Sequence, residues 1–216
     1  PRVQFIYLHS VFNDEIENFK STIQFLGRHF TFISYDKAVQ KISNQSIDKP
    51  YICISFDDGF KNNYIIAKYL AEMSIPAMFF ICTGFIGLKK YKDIKQVCND
   101  KFHLPPVEFM DWSDIEELQR LGHLIGSHTH SHINMGNTSP EKTNSELEKS
   151  REMLLKYTGV ADHLSWPYGT FNDISKFGIE STFKHGFKSL SSAVRGYHAP
   201  IVKAEIPYEQ ICIRRD

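Results

Sequence analysis

A chain of 216 residues with 42% hydrophobic and 23% charged residues has the size and composition of one globular domain, 1–216, with a core of its own. Its 25 basic and 25 acidic residues cancel and no basic run stands out, which argues against nucleic acid as a partner and leaves a neutral oligo- or polysaccharide easier to accept. No apolar stretch approaches the ~20 residues of a membrane span.

In chain order, β-rich apolar runs are expected as strands at 3–8, 30–34 and 51–56. A helix follows over 61–73, with Ile66, Leu70 and Met73 on one face. The next strand is expected at 77–83. Residues 87–106 carry no clear period and read as a long loop at a site rim. Ser113 with Glu116 reads as a capping box opening a helix over 114–121, ahead of a strand at 124–127. Ser139 and Pro140 open a longer helix carrying Leu147, Leu154 and Leu155 on one stripe, and Gly159 stops it. Strands at 164–166 and 187–190 complete the series, with 210–213 as an eighth or edge strand. Alternating β and α units predict an α/β fold with a mainly parallel sheet, and about seven units in this length suggest a barrel, complete or incomplete, rather than an open sheet.

Four segments carry the candidate chemistry. Ser55-Phe56-Asp57-Asp58-Gly59 follows an apolar strand and precedes a helix, and in a βα barrel such strand ends face the site. Two adjacent carboxylates there are costly to bury unless a cation sits beside them, whereas a solvated turn needs only Asp58-Gly59 at positive φ. In Gly126-Ser127-His128-Thr129-His130-Ser131-His132, His128 and His132 share a face if the chain turns helically, a spacing that recurs in zinc sites. His128 and His130 share one if it stays extended. Two imidazoles with one carboxylate leave a coordination place for water, and the second carboxylate can take its proton, which points to hydrolysis. Ser165-Trp166-Pro167-Tyr168-Gly169 ends another strand in a sharp turn that can aim a backbone N–H at an oxyanion. His9 closes the first strand and can protonate a leaving amine near neutral pH.

Taken together, Ser55–Gly59, His128–His132 with its lead-in Gly122-His123-Leu124-Ile125-Gly126-Ser127, and Ile75-Pro76-Ala77-Met78-Phe79-Phe80 resemble the polysaccharide deacetylases of carbohydrate esterase family 4, the NodB-homology proteins, over most of the chain. The resemblance implies a distorted barrel, commonly of seven units. It also implies Asp57 as general base, Asp58, His128 and His132 as metal ligands, and the Tyr168 N–H as an oxyanion donor. Two features depart from the common pattern. Many members place an Arg before the Pro-Tyr-Gly turn to orient the base, and here that segment reads His163-Leu164-Ser165-Trp166. Many also carry a C-terminal Leu-x-His that supplies the acid, and residues 207–215 contain no histidine. Both departures are similar to the permuted branch that includes the poly-N-acetylglucosamine deacetylases, where a W-P-Y-G turn accompanies an N-terminal Y-H-x-V segment. Tyr7-Leu8-His9-Ser10-Val11 differs from that segment by one inserted residue. His9 is therefore the expected acid, with His198 and His130 as alternatives.

The expected activity is metal-dependent removal of acetyl groups from N-acetylated sugars of a polysaccharide or its precursor. An O-acetyl esterase on a glycan and a non-catalytic glycan-binding barrel are the competing readings. Zinc is the first expectation for the metal, with cobalt or nickel next, since two imidazoles and a carboxylate suit several divalent ions. Trp112, Trp166 and Tyr197 are read as core residues rather than sugar platforms, and His103 and His185 as surface residues. Cys53, Cys82, Cys98 and Cys212 show no CxxC spacing and are expected as structural thiols. No signal peptide is visible, which favours the cytoplasm unless a segment ahead of Pro1 was trimmed. The sequence is silent on oligomeric state.

Overall fold

The computed structural model describes residues 1–200 and 211–216. In chain order its elements are β1 (Arg2–Leu8), α1 (Ile16–Gly27), β2 (Thr31–Phe32), α2 (Tyr35–Ser43), β3 (Pro50–Phe56), α3 (Asn63–Glu72), β4 (Ala77–Ile81), α4 (Tyr91–Val97), α5 (Trp112–Arg120), β5 (Leu124–Ser127), α6 (Pro140–Thr158), β6 (His163–Ser165), α7 (Lys176–Lys184), β7 (Ser189–Ser191), β8 (Tyr197–His198) and β9 (Ile211–Ile213).

Strands β1-β3-β4-β5-β6-β7-β9 lie side by side, every pair parallel. Beyond β9 the backbone turns onto the free edge of β1: Asp216 N–H donates to Phe5 O (2.8 Å), and Tyr7 N–H donates to Asp216 O (3.0 Å). The sheet thus curls back on itself as a distorted barrel. The remaining half of the β1 edge, at Val3 and Gln4, is taken by antiparallel β8. Short β2 pairs with β3 outside this path.

Alternate residues of the strands divide between two cores, as a period-two backbone requires. Ile54, Phe56, Phe79 and Ile81 pack outward against Phe19 and Ile23 of α1, Ile66 and Leu70 of α3, and Ile115 and Leu118 of α5. Val3, Phe5, Cys53, Met78, Phe80 and Ile213 pack instead with Tyr35, Ala38 and Val39 of α2. The Tyr35 ring touches Phe5 of β1, Phe80 of β4 and His163 of β6, and its hydroxyl bonds Ser191 of β7. Only a group inside the curl can reach four such strands.

Several expected boundaries shift. The strand expected at 30–34 shortens to Thr31–Phe32, that at 164–166 starts one residue earlier, and that at 187–190 becomes Ser189–Ser191. The late strand is present as Ile211–Ile213, while Gln210 lies outside the described residues. Residues 87–106 are not a plain loop: α4 and a π turn over Cys98–Phe102 occupy them, because Ile94 and Cys98, four apart, pack with Phe60, Phe85 and Phe109. Helix α5 opens two residues ahead of expectation. Asp111, not Ser113, caps it, accepting from Ser113 N–H (3.0 Å) and Asp114 N–H (3.1 Å) while Asp114 answers to Asp111 N–H (2.9 Å). Helices α1, α2 and α7, not singled out in the sequence, fill the remaining crossovers. Gly159 ends α6 at φ 73 as its position implied. All four cysteines are free thiols, and among the described residues no helix is long and apolar enough to cross a membrane.

His163 lies inside the curl, its Nδ1 2.8 Å from Ser189 Oγ, and burial lowers its pKa to about 4. The folded state therefore holds a neutral imidazole that the unfolded chain would protonate below its ordinary value of 6.5. Stability contributed here is complete above that value and is lost as pH falls through the window toward 4. His163→Phe should lose less stability than the parent on going from about pH 7 to about pH 4.5, by on the order of 2 kcal/mol in urea denaturation. Equal losses in both proteins would remove His163 as the source.

Candidate active site

Five segments reach one end of the barrel, each just beyond the C-terminal end of a parallel strand: His9 after β1, Asp57 and Asp58 after β3, His128 after β5, Trp166–Gly169 after β6, and Arg215 after β9. Helices and loops that follow such strands converge at that end by topology alone.

Asp58, His128 and His132 form a buried group whose ligand-type atoms lie within 4.8 Å of one another. Asp58 Oδ1 stands 3.4 Å from His128 Nε2 and 3.5 Å from His132 Nε2. An ion bound tetrahedrally at ~2.0–2.1 Å from each ligand would space those atoms ~3.3–3.4 Å apart. Asp58 Oδ1 is buried and has no hydrogen-bond partner, an expensive state for a carboxylate oxygen that has no cation. Burial lowers His128 to about 4 and His132 to about 2, so both rings are neutral and present lone pairs. Burial and then the adjacent Asp57 raise Asp58 well above the carboxylate range, so a positive charge is what would ionise it. His128 Nδ1 lies 2.8 Å from Ser165 O, which fixes the tautomer with Nε2 free toward Asp58. These residues fit a divalent cation.

The loop from His128 to His132 is held by strain and by a buried acid. Thr129 (φ 64) and His132 (φ 52) are left-handed, as is Asp58 (φ 75), a conformation that costs about 1–2 kcal/mol per non-glycine residue. Glu146 on α6, itself buried, accepts from Ser131 N–H and Ser131 Oγ at 2.7 Å each and pairs with Lys142 at 2.8 Å. It clamps the turn between the two imidazoles. Gly84 allows close approach on the other side, since a Cβ there would meet His130 O at 2.7 Å.

Asp57 has a cationic partner of its own. Arg215 Nη1 and Nη2 reach its two carboxylate oxygens at 2.8 and 2.7 Å. The same guanidinium donates to Ser165 Oγ (2.6 Å), Ser55 Oγ (3.2 Å) and Ser192 O (2.8 Å), and lies over the Tyr7 ring at 4.7 Å. Burial alone would raise Asp57, but the charge of Arg215 and its hydrogen bonds outweigh it and hold the carboxyl at about 2. Arg215 was missed in the sequence, where only the lack of an Arg before Trp166-Pro167-Tyr168 signalled that one was needed. It comes from the far end of the chain and is only 1% exposed.

The other sequence candidates divide. His9 is exposed and lines a cleft of about 630 Å3 together with Asp58, His132 and Tyr168. Its carbonyl accepts from Asn63 Nδ2 at 2.7 Å, which fixes the backbone there. Tyr168 sits at φ 65 with its ring 4.9 Å from His132, and its N–H donates to no group among the described residues. His130 turns away, with Nδ1 3.1 Å from Thr83 Oγ1. His198 pairs with Val3 near the opposite end of β1, and its Nε2 accepts from Arg214 N–H at 3.1 Å. Neither lines the cleft. Trp166 is core as expected and Trp112 is half-buried, stacked on Tyr157 at 4.1 Å, whereas Tyr197, expected in the core, is exposed on the edge strand β8. His185 is a helix-end residue, whereas His103, read as plain surface, lines the cleft.

A family model described as polysaccharide deacetylase matches residues 44–188. The peptidoglycan-N-acetylmuramic acid deacetylase PdaA of Bacillus subtilis (strain 168) is 24% identical over 143 residues, 64% of this chain but 45% of that protein, so the match spans less than half of it. Among solved structures, IcaB from Ammonifex degensii superposes with a TM-score of 0.82 at 16% identity, covering 99% of this chain and 90% of its own. The Streptococcus pyogenes deacetylase PplD, in complex with acetate, gives 0.76 at 15% identity, covering 100% and 91%. At these identities the two structures establish a shared fold.

Two outcomes test this geometry. Arg215→Met should cost about 3–5 kcal/mol in denaturant unfolding by stranding a buried charge, and adding Asp57→Leu should recover part of the loss; strictly additive losses would deny the coupling. Glu146→Ala should weaken Zn2+ or Co2+ binding about 10–100-fold in calorimetric titration, and unaltered affinity would show that the turn holds itself.

Proposed function

The chain belongs to the polysaccharide deacetylase family, and on that premise we propose that it is a metal-dependent hydrolase that removes acetyl groups from N-acetylated sugars of a polysaccharide or its precursor. The observation that supports this most is the pairing of two buried carboxylates with different partners: Asp58 with two neutral imidazoles, and Asp57 with Arg215.

Asp58, His128 and His132 would hold the cation, zinc by first preference for two nitrogens and one oxygen, with cobalt or nickel also suited. When bound there, a divalent ion polarises the acetamide carbonyl and brings the pKa of water toward neutrality. Asp57 takes a proton from the attacking water. Arg215 fixes both carboxylate oxygens, so the base enters the reaction ionised and in one orientation. The Tyr168 N–H, which has no partner among the described residues, donates to the oxygen that gains negative charge, worth about 3 kcal/mol for one such donor. His9 lies at the mouth of the cleft and gives its proton to the amine nitrogen as the C–N bond breaks, releasing acetate and a free amino sugar.

Asp57→Asn should lower acetate release from an N-acetylated oligosaccharide by at least about 100-fold while metal content stays at the parent level. Loss of metal in the same variant would reassign Asp57 as a ligand. His9→Ala should slow N-acetyl cleavage more than O-acetyl cleavage, because an alkoxide leaves without help more readily than an amine. Equal slowing of both would take the acid role from His9.

A further inference from the structure

The cleft beside Asp58 has two walls of different origin. One is the segment from Tyr7 to Phe12, which follows β1; the other is Lys101, Phe102, His103 and Leu104, at the end of the π turn after α4. Phe102 anchors the second wall. Its ring packs on Phe60 at 5.1 Å, Phe85 at 6.0 Å and Phe109 at 6.1 Å, and faces the His132 ring at 4.7 Å. Lys101 is therefore carried by a pinned backbone into the lining of the cleft that also holds Asp58 and His132.

The charge of this wall is unbalanced. Asp58 is the sole carboxylate among the described residues lining the cleft, and it lies against the two imidazoles. Asp100, next to Lys101, is exposed and accepts from Asn99 Nδ2 at 2.9 Å, outside the lining. Lys101 is half-buried and forms no ion pair among the described residues. His103 follows it on the wall, set by a left-handed backbone at φ 54. A neutral acetamido sugar takes no benefit from an ammonium held here, and a chain already bearing free amines is repelled by it. A carboxylate gains both Coulomb attraction and a charge-assisted hydrogen bond in a site partly screened from water.

We infer that Lys101, assisted by His103, is the specificity-determining cation of the cleft, holding a carboxylate borne by the acetamido sugar or its immediate neighbour, so that the substrate class is an acidic glycan. This rests on the deacetylase reading given above.

The test uses the full chain loaded with a divalent metal and two oligosaccharide series of equal length. One is a neutral N-acetylglucosamine oligomer; the other is the same backbone with a carboxylate on alternate residues. Acetate release gives kcat/KM for each. The parent protein should favour the carboxylated series, and Lys101→Ala should lower the acidic-to-neutral ratio about tenfold, mainly through KM. Lys101→Glu should invert the preference, Lys101→Arg should retain it, and added salt should erode it in the parent and the arginine variant alike but not in Lys101→Ala. A ratio that is the same in the parent and all three variants overturns the inference, while acetate release itself leaves the hydrolase reading standing. No acetate from either series by the metal-loaded parent overturns that reading and this inference with it.

Discussion

Asp57 and Asp58 are adjacent in sequence, and both are at most 2% exposed. Neither can carry charge at that depth without a positive group of its own, and their mutual repulsion raises the requirement. The fold answers with two different arrangements. Asp57 meets a guanidinium in bidentate contact, and Asp58 meets two neutral imidazoles that leave its inner oxygen unpartnered. One carboxylate is thereby kept ionised with its geometry fixed, and the other is left to be ionised by a cation. The difference in partners, not in residue type, sets the two carboxylates apart, and on the proposed mechanism it makes one a base and the other a ligand.

Closure of the barrel is what brings Arg215 to Asp57. Strand β9 pairs with β7, and the residues after it bond β1 through Asp216, so Arg215 falls between the two edges and points to the same end of the barrel as the strand β3 carboxylates. The interior beneath it is polar where it supports the guanidinium. Ser55, Ser165 and the Ser192 carbonyl receive its hydrogen bonds, and Tyr7 and Phe80 cover its faces. A buried arginine with nearly all of its donors satisfied is a rigid fork, which suits the positioning of a carboxylate.

The substrate-facing side is built differently. Left-handed residues at Asp58, Thr129, His132 and Tyr168 concentrate backbone strain at the strand ends, where the surrounding hydrogen bonds hold it. Across the cleft, the π turn after α4 puts an aromatic ring against one imidazole and a lysine beside it. The candidate groups therefore lie between a rigid barrel end and a wall contributed by a single crossover, pinned to the centre by the Phe102 ring on His132.

The local motifs were legible because each is a short segment at a strand end. The alternation of apolar runs and helical stretches was enough for a parallel α/β barrel, and Asp57-Asp58 with the histidines of 128–132 could be read as one centre from residue type, the choice of His132 over His130 resting on the family resemblance. The signal of 87–106 was hidden because its apolar positions, Ile94 and Cys98, are few and set among charges, so only packing against Phe60, Phe85 and Phe109 makes a helix of them. Capping of α5 by Asp111 rather than Ser113 was decided by which side chain reached the free N–H groups. Arg215 was beyond sequence reasoning, since it meets Asp57 across 158 residues and only closure of the sheet brings them together. The sequence by itself determined which groups could bind a cation or move a proton, because residue chemistry is local. Tertiary structure decided which partner each of the two carboxylates meets, because burial and the partner charges exist only once distant strands have met.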